Sequence, residues 1–278
     1  MRLYGRVAAV TGAGSGIGRE LAIGLARRGC ELALSDIDEV SLARTVETVR
    51  FVNPRLAVSC ERVDVADRDA LYAWAGKTAE RHGRVNAVFN NAGVALGSTV
   101  EGASDGDLEW LFGINFWGVV HGTRAFLPHL RVSGEGHVVN VSSVFALISV
   151  PGQAAYNASK SAVRGFTDAL RMELEMSGAP VRATTVLPGG IKTNVARASR
   201  ANGSLADLGL DAARGREKFE RLFITDSDRA AGRILDAVER DRERVLIGPD
   251  AYVIDALSRL FPAGYARLVK RSVRRSLG

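Results

Sequence analysis

Short apolar runs alternate with helical stretches of about ten residues or more, and this predicts an α/β fold with a doubly wound parallel sheet covered by helices on both faces. Three observations carry the prediction. The apolar runs are near-continuous, as strands buried on both faces require. The stretches between them repeat with helical spacing, not the two-residue spacing of a strand. A glycine cluster, Thr11-Gly12-Ala13-Gly14-Ser15-Gly16-Ile17-Gly18, joins the first strand to the first helix. That junction is where such folds turn their backbone most tightly.

The elements follow in order. A first strand is expected over residues 7–11, stopping at the glycines. Residues 18–28 have helical spacing through Leu21 and Leu25, and Gly29 ends that helix. A second strand over 31–35 stops at Asp36, with a helix over 41–52. A third strand over 57–63 stops at Asp64, with a helix over 66–82. The fourth, over 85–89, runs into Asn90-Asn91-Ala92-Gly93. One long helix is expected over 107–130, a fifth strand over 137–141 and a helix over 157–176. A sixth strand over 181–187 meets Pro188-Gly189-Gly190. The next stretch is rich in Ala, Arg, Gly and Ser without a strong period, so 190–228 is expected to be a substrate lid. A helix over 228–240 and a last strand over 245–248 close the pattern. No repeat or low-complexity linker divides it, so residues 1–250 are expected to be one domain, followed by an extension over 251–278.

Composition bounds the function. Apolar residues make up 46% and charged residues 24%, as in ordinary globular proteins. No apolar run reaches the roughly 18 residues of a membrane span. The N-terminus enters a strand at once and lacks the pattern of a signal peptide. Cys30 and Cys60 are too few for a disulfide framework, and both are expected to be buried thiols in a reducing, cytoplasmic compartment. The net charge is +6, and residues 256–278 hold six basic residues (Arg259, Arg267, Lys270, Arg271, Arg274, Arg275) with no acid. The remaining chain is therefore neutral, which argues against nucleic acid, since a binding domain is basic over a folded face. His82, His121, His129 and His137 form no ligand-spaced cluster with the cysteines, so no metal site is expected.

The glycine loop suits a dinucleotide. Its glycines let the backbone approach a pyrophosphate, and the following helix N-terminus offers free N–H groups and a positive dipole end. Gly12, Gly14, Ser15, Gly16, Ile17 and Gly18 are the expected contacts. A carboxylate at Asp36 can accept hydrogen bonds from ribose hydroxyls and would repel a 2′-phosphate, and neither Ser15 nor Ile37 offers a cation. NAD is therefore the expected cofactor. Asp64, with Val65 beside it, is placed to meet the adenine, or else to cap the next helix; Asp38 is better placed than Asp36 for the corresponding cap.

Tyr156-Asn157-Ala158-Ser159-Lys160 opens a helix, and residues i and i+4 share a helical face. A phenol with pKa near 10 needs help to exchange protons at neutral pH. A neighbouring ammonium stabilises the phenolate and lowers that value, so Tyr156 and Lys160 make an acid/base pair. Ser143 can hydrogen-bond a substrate oxygen and hold it against the phenol; Ser142 beside it is the competing choice.

Gly12-x-x-x-Gly16-x-Gly18, Asn90-Asn91-Ala92-Gly93, Asn115, Ser143, Tyr156-x-x-x-Lys160 and Pro188-Gly189 together resemble the short-chain dehydrogenase/reductase family in order and spacing, across residues 3–250. The resemblance implies a seven-stranded Rossmann-type sheet and hydride transfer between NAD(H) and an alcohol or ketone. It implies that Tyr156 is the acid/base and that Lys160 binds the nicotinamide ribose. Ser143, not Ser142, matches the substrate-orienting serine, and Asn115 matches an asparagine holding a proton-relay water. It further implies that Asn91, Ala92 and Gly93 line the adenosine side, and that Pro188, Gly189, Ile191 and Thr193 border the nicotinamide, Thr193 at its carboxamide. A homodimer or homotetramer built on helices 107–130 and 157–176 is implied as well.

The extension reads as a basic amphipathic segment broken at Pro262-Ala263-Gly264. It suits a subunit-contacting or active-site-covering helix, and also peripheral contact with an anionic membrane. With the apolar stretch 144–150 it points to a bulky apolar alcohol or ketone: a steroid, retinoid or long-chain alcohol. Two alternatives stand beside this reading. One is a β-ketoacyl thioester reductase using NADPH, against which Asp36 argues. The other is a non-catalytic dinucleotide-binding regulator, against which the presence of both Tyr156 and Lys160 argues.

Overall fold

The computed structural model describes residues 1–193, 199–210 and 223–277, with side chains up to Val273. Seven parallel strands form the central sheet: β1 (Val7–Thr11), β2 (Glu31–Asp36), β3 (Val58–Arg62), β4 (Ala87–Asn90), β5 (Gly136–Val141), β6 (Val181–Pro188) and β7 (Arg244–Ile247). Their order is β7-β6-β5-β4-β1-β2-β3. The order reverses between β1 and β4, which opens a crevice at the carboxyl ends of those strands. The Rossmann-type α/β fold expected from the sequence is thus present.

Helices cover both faces. On one side lie α1 (Gly16–Arg27) and α2 (Glu39–Val52), with Leu21, Leu25, Leu42 and Val49 in the core. On the other, α3 (Arg68–His82) contributes Trp74, which meets Phe126 edge-on at 5.1 Å. Each fully buried side chain of this size contributes roughly 1.5–3 kcal/mol. Asp38 caps α2 through Val40 N and Ser41 N, both at 3.1 Å, and Asp67 caps α3 through Ala70 N. Asp36 and Asp64 serve neither helix as N-cap.

The long helix expected over 107–130 is divided. It runs as α4 (Asp105–Phe112), a π-helical segment Gly113–Trp117, and α5 (Gly118–Val132). The π turn carries Asn115 at its centre, and such turns collect at functional sites. α6 (Ala154–Met176) begins three residues before the expected start, after the Pro151-Gly152 turn in which Gly152 has φ 76°. Of the expected lid, residues 194–198 and 211–222 lie outside those described. The described parts include a parallel pairing of Ile191–Lys192 with Thr225–Asp226, and of Leu96–Gly97 with Arg200–Ala201. Then come α7 (Ser227–Glu239), α8 (Pro249–Leu260) and α9 (Tyr265–Leu277). α1 and α7 approach closely: a Cβ on Gly24 would lie 2.8 Å from Leu235 Cδ1.

One expectation is corrected. Cys30 is buried, and burial pushes its thiol up to about 12, but Cys60 is exposed because β3 is the edge strand. Among the described residues no helix is long and apolar enough to cross a membrane. Nor does any group of three His, Cys, Asp or Glu side chains there suit a metal. His137 is buried against Thr184 Oγ1 at 2.8 Å, and burial lowers its pKa to about 3.

Candidate active site

The crevice is built at the ends of β1, β4, β5 and β6. β1 leads into the glycine loop, where Gly12 and Gly16 take φ of 65° and 52°, conformations that favour glycine. Gly18 has a different reason: a Cβ there would overlap the Gly12 carbonyl oxygen. Ser15 is the N-cap of α1 but makes no side-chain capping bond, so the helix presents its first N–H groups to the loop. Ile17 turns inward to the core. Across the loop, Thr193 sits so close that a Cβ on Gly16 would lie 3.1 Å from its own Cβ.

Asp36 ends β2 beside this loop. Its carboxylate accepts Gly14 N at 2.8 Å and Asp38 N at 3.0 Å, which fixes its position. Ile37 is exposed next to it. Asp64 accepts Ala66 N at 2.9 Å, and Val65 packs under Gly118. Asn91 turns its amide to the glycine loop. Nδ2 donates to Thr11 O at 3.0 Å and Gly12 O at 3.2 Å, so the side chain braces the loop from behind. Ala92 N and Asn91 N both donate to Thr11 Oγ1.

The polar side chains converge beyond β4 and β5. The Ser143 hydroxyl lies near enough to the Tyr156 phenol to favour its ionised form, and the Phe145 ring meets the Tyr156 ring edge-on at 5.9 Å. Lys160 Nζ lies 5.7 Å from the centroid of the Tyr156 ring and donates to Val141 O at 3.1 Å. Ser142 plays a different part: its hydroxyl donates to Lys160 O at 2.7 Å, deep in the core. Asn115 is fully buried and exchanges bonds with Val94, Nδ2 to O at 2.9 Å and Oδ1 from N at 2.8 Å. A Cβ on Gly93 would lie 3.2 Å from Lys160 Nζ and 3.3 Å from Asn115 Oδ1, so this glycine lets Lys160 and Asn115 approach one another. Burial raises the Tyr156 phenol above its usual pKa, and the Ser143 hydroxyl pulls the other way. Burial alone brings the Lys160 ammonium down to about 8.

At the far side, Pro188 ends β6 and Gly189 N bonds Ile247 O at 2.9 Å. Gly190 N donates to Asp250 Oδ2 at 2.6 Å, and Ile191 is buried behind it. Tyr156, Lys160, Ser143 and Asn115 are thus gathered in one place, with the glycine loop, Asp36 and Thr193 along the same crevice.

Comparison with known proteins decides the family. Residues 6–203 match the family described as short chain dehydrogenase. The chain belongs to the short-chain dehydrogenase family. A Mycobacterium tuberculosis protein named SadH is 46% identical over 270 residues, which cover 97% of this chain and 95% of that protein. A short-chain dehydrogenase/reductase from Burkholderia phymatum, solved in complex with NAD, has a TM-score of 0.86 at 33% identity, covering 94% of this chain and 95% of the other. Levodione reductase has a TM-score of 0.78 at 29% identity, covering 90% of this chain and 98% of its own. This short-chain dehydrogenase is therefore an oxidoreductase.

Sequence reasoning missed several residues that shape the site. Thr11 ties the β4 turn to the glycine loop, donating to Phe89 O at 3.4 Å as well as accepting the two amides. Asn157 holds the loop after Ser143: Nδ2 donates to Phe145 O at 2.9 Å and Ile148 O at 3.0 Å, and Oδ1 accepts Val150 N. Asp250 anchors Gly190 from α8. Nothing in local spacing marks these three, because each works across a long sequence separation or on irregular backbone.

Proposed function

We propose that this short-chain dehydrogenase transfers a hydride between NAD(H) and an alcohol or ketone, with Tyr156 exchanging the proton at the substrate oxygen. The observation that carries the reading is the Lys160 ammonium 5.7 Å from the centroid of the Tyr156 ring, with the Ser143 hydroxyl near the phenol. The loop at Gly12–Gly18 fits a dinucleotide, because Gly12 and Gly16 hold left-handed backbone that keeps the turn tight and the α1 N-terminus carries no side-chain cap. When bound, the nicotinamide supplies the hydride acceptor or donor. Every other role falls to the chain. Ser143 holds the substrate oxygen against the phenol. Tyr156 takes its proton during oxidation and returns it during reduction. Lys160 keeps the phenolate favoured and binds the cofactor ribose. Asn115 positions a water that links Lys160 to solvent. The fixed carboxylate of Asp36 receives the adenosine ribose hydroxyls, which supports NAD over NADP. Gly14, Ser15 and Ile17 border the pyrophosphate; Ile37, Asp64, Val65, Asn91, Ala92 and Gly93 border the adenosine; and Pro188, Gly189, Ile191 and Thr193 border the nicotinamide.

The substrate we infer is bulky and apolar. Leu205, Leu208 and Leu210 gather on Gly152, with Leu205 Cδ2 2.9 Å from where a Cβ would lie. They give an apolar wall to the loop that follows Ser143. A panel of alcohols of increasing chain length tests this: specificity constants should rise with apolar size, and a maximum at short polar alcohols contradicts it. Dinucleotide fluorescence titration tests the cofactor. NADH should bind more tightly than NADPH, and the reverse order would favour a β-ketoacyl thioester reductase.

A further inference from the structure

The two C-terminal helices leave an apolar surface uncovered. α8 packs against β7 and the turn at Val144–Ala146, anchored by Asp255, which pairs with Arg244 at 2.7 Å and Arg259 at 3.0 Å. Along α9, Tyr265, Val269 and Val273 recur every four residues on one face, and all three are half-buried. Tyr252, Val253, Leu260, Phe261 and Leu268 are each more than half exposed. Large apolar side chains exposed together on two successive helices suit an interaction surface.

The charge beside the patch narrows the partner. Residues 256–278 carry six basic residues and no acid. Arg267, Lys270 and Arg271 are exposed, and among the described residues they form no salt bridge. A second copy would meet this patch with the same patch, because a two-fold interface is self-complementary, and would bring like charges together. A nucleic acid would leave Leu260, Phe261 and Leu268 without a partner. A basic helix with apolar side chains on one flank matches a bilayer surface bearing anionic headgroups.

We propose that α8 and α9 dock this short-chain dehydrogenase on an anionic lipid surface. The docking patch adjoins the substrate loop: Ser149 N donates to the Tyr265 hydroxyl at 3.1 Å, joining the start of α9 to the loop that follows Ser143. An enzyme docked through this face holds that loop beside the bilayer.

The test is co-sedimentation of the full chain with vesicles, of phosphatidylcholine alone or with phosphatidylglycerol added. The chain should pellet with the anionic vesicles and not with the neutral ones. Binding should fall more than about tenfold when salt is raised to shorten the screening length from roughly 10 to 3 Å. Leu260→Glu combined with Phe261→Glu should weaken it, as should Lys270→Glu with Arg271→Glu, while both variants keep the wild-type circular dichroism. Equal binding to neutral vesicles, no binding at low salt, or binding unchanged in both variants overturns the proposal. So does a concentration-dependent dimer in sedimentation velocity that the same substitutions dissolve, since that assigns the face to a second copy.

Discussion

Burial raises the pKa of the Tyr156 phenol, and the nearby Ser143 hydroxyl opposes it. Lys160 is ammonium below about 8 and loses its charge above that value in the free protein. The proposed chemistry then has a definite sign. Oxidation needs the phenolate, so its rate should climb with pH, while reduction needs the phenol and should fall. Ser143→Ala removes the contact that lowers the phenol pKa, so the rising limb of oxidation should move to higher pH. A limb that stays in place would separate Ser143 from the acid/base function. Asp36 gives a second prediction at this scale. Its carboxylate is fixed by Gly14 N and Asp38 N, so Asp36→Ala should narrow the proposed preference for NADH over NADPH, read by fluorescence titration. The pairing of Tyr156 with Lys160 was legible in the sequence, because a spacing of four puts both on one helical face. Ser143 was told from Ser142 by the family resemblance alone; the bond from the Ser142 hydroxyl to Lys160 O, 18 residues away, has no mark in local spacing. Nor has the bracing by Asn91, whose amide reaches back about 80 residues to the loop the cofactor would lie on.

Elements explain why those residues stay in place. β4, β5, α5 and α6 are stitched by a buried chain of side chains: Asn90 to Thr123 at 3.1 Å, Asn90 to Asn140 at 2.8 Å, and Asn140 to Thr167 at 2.9 Å. Asn140→Ala leaves buried donors and acceptors without partners and should cost about 1–3 kcal/mol in denaturant unfolding. An unchanged midpoint would show that the network is not holding the sheet to its helices. The strands and helices themselves were legible because parallel strands covered on both faces read as apolar runs. The π segment at Gly113–Trp117 was not, since a single wide turn barely disturbs helical spacing over 107–130. Its consequence is the placement of Asn115 opposite Val94 and Ser159.

At the scale of the molecule, the sheet order places the glycine loop and the Tyr156 helix on one crevice. The extension was readable as basic and amphipathic, whereas its bond from Ser149 to Tyr265, reaching across 116 residues, was beyond any local pattern. Assembly belongs here too. Trp117, Met172 and Met176 are exposed on the helices expected to pair subunits, and sedimentation should show a dimer or tetramer that Met172→Glu weakens. The most direct test of the whole reading is NAD-linked oxidation of an apolar secondary alcohol by wild type and Tyr156→Phe, with NADH binding measured on both. A positioned acid/base contributes roughly 10²–10⁴-fold, so the variant should lose at least about a hundredfold in kcat while binding NADH as wild type does; undiminished turnover in Tyr156→Phe would contradict the reading.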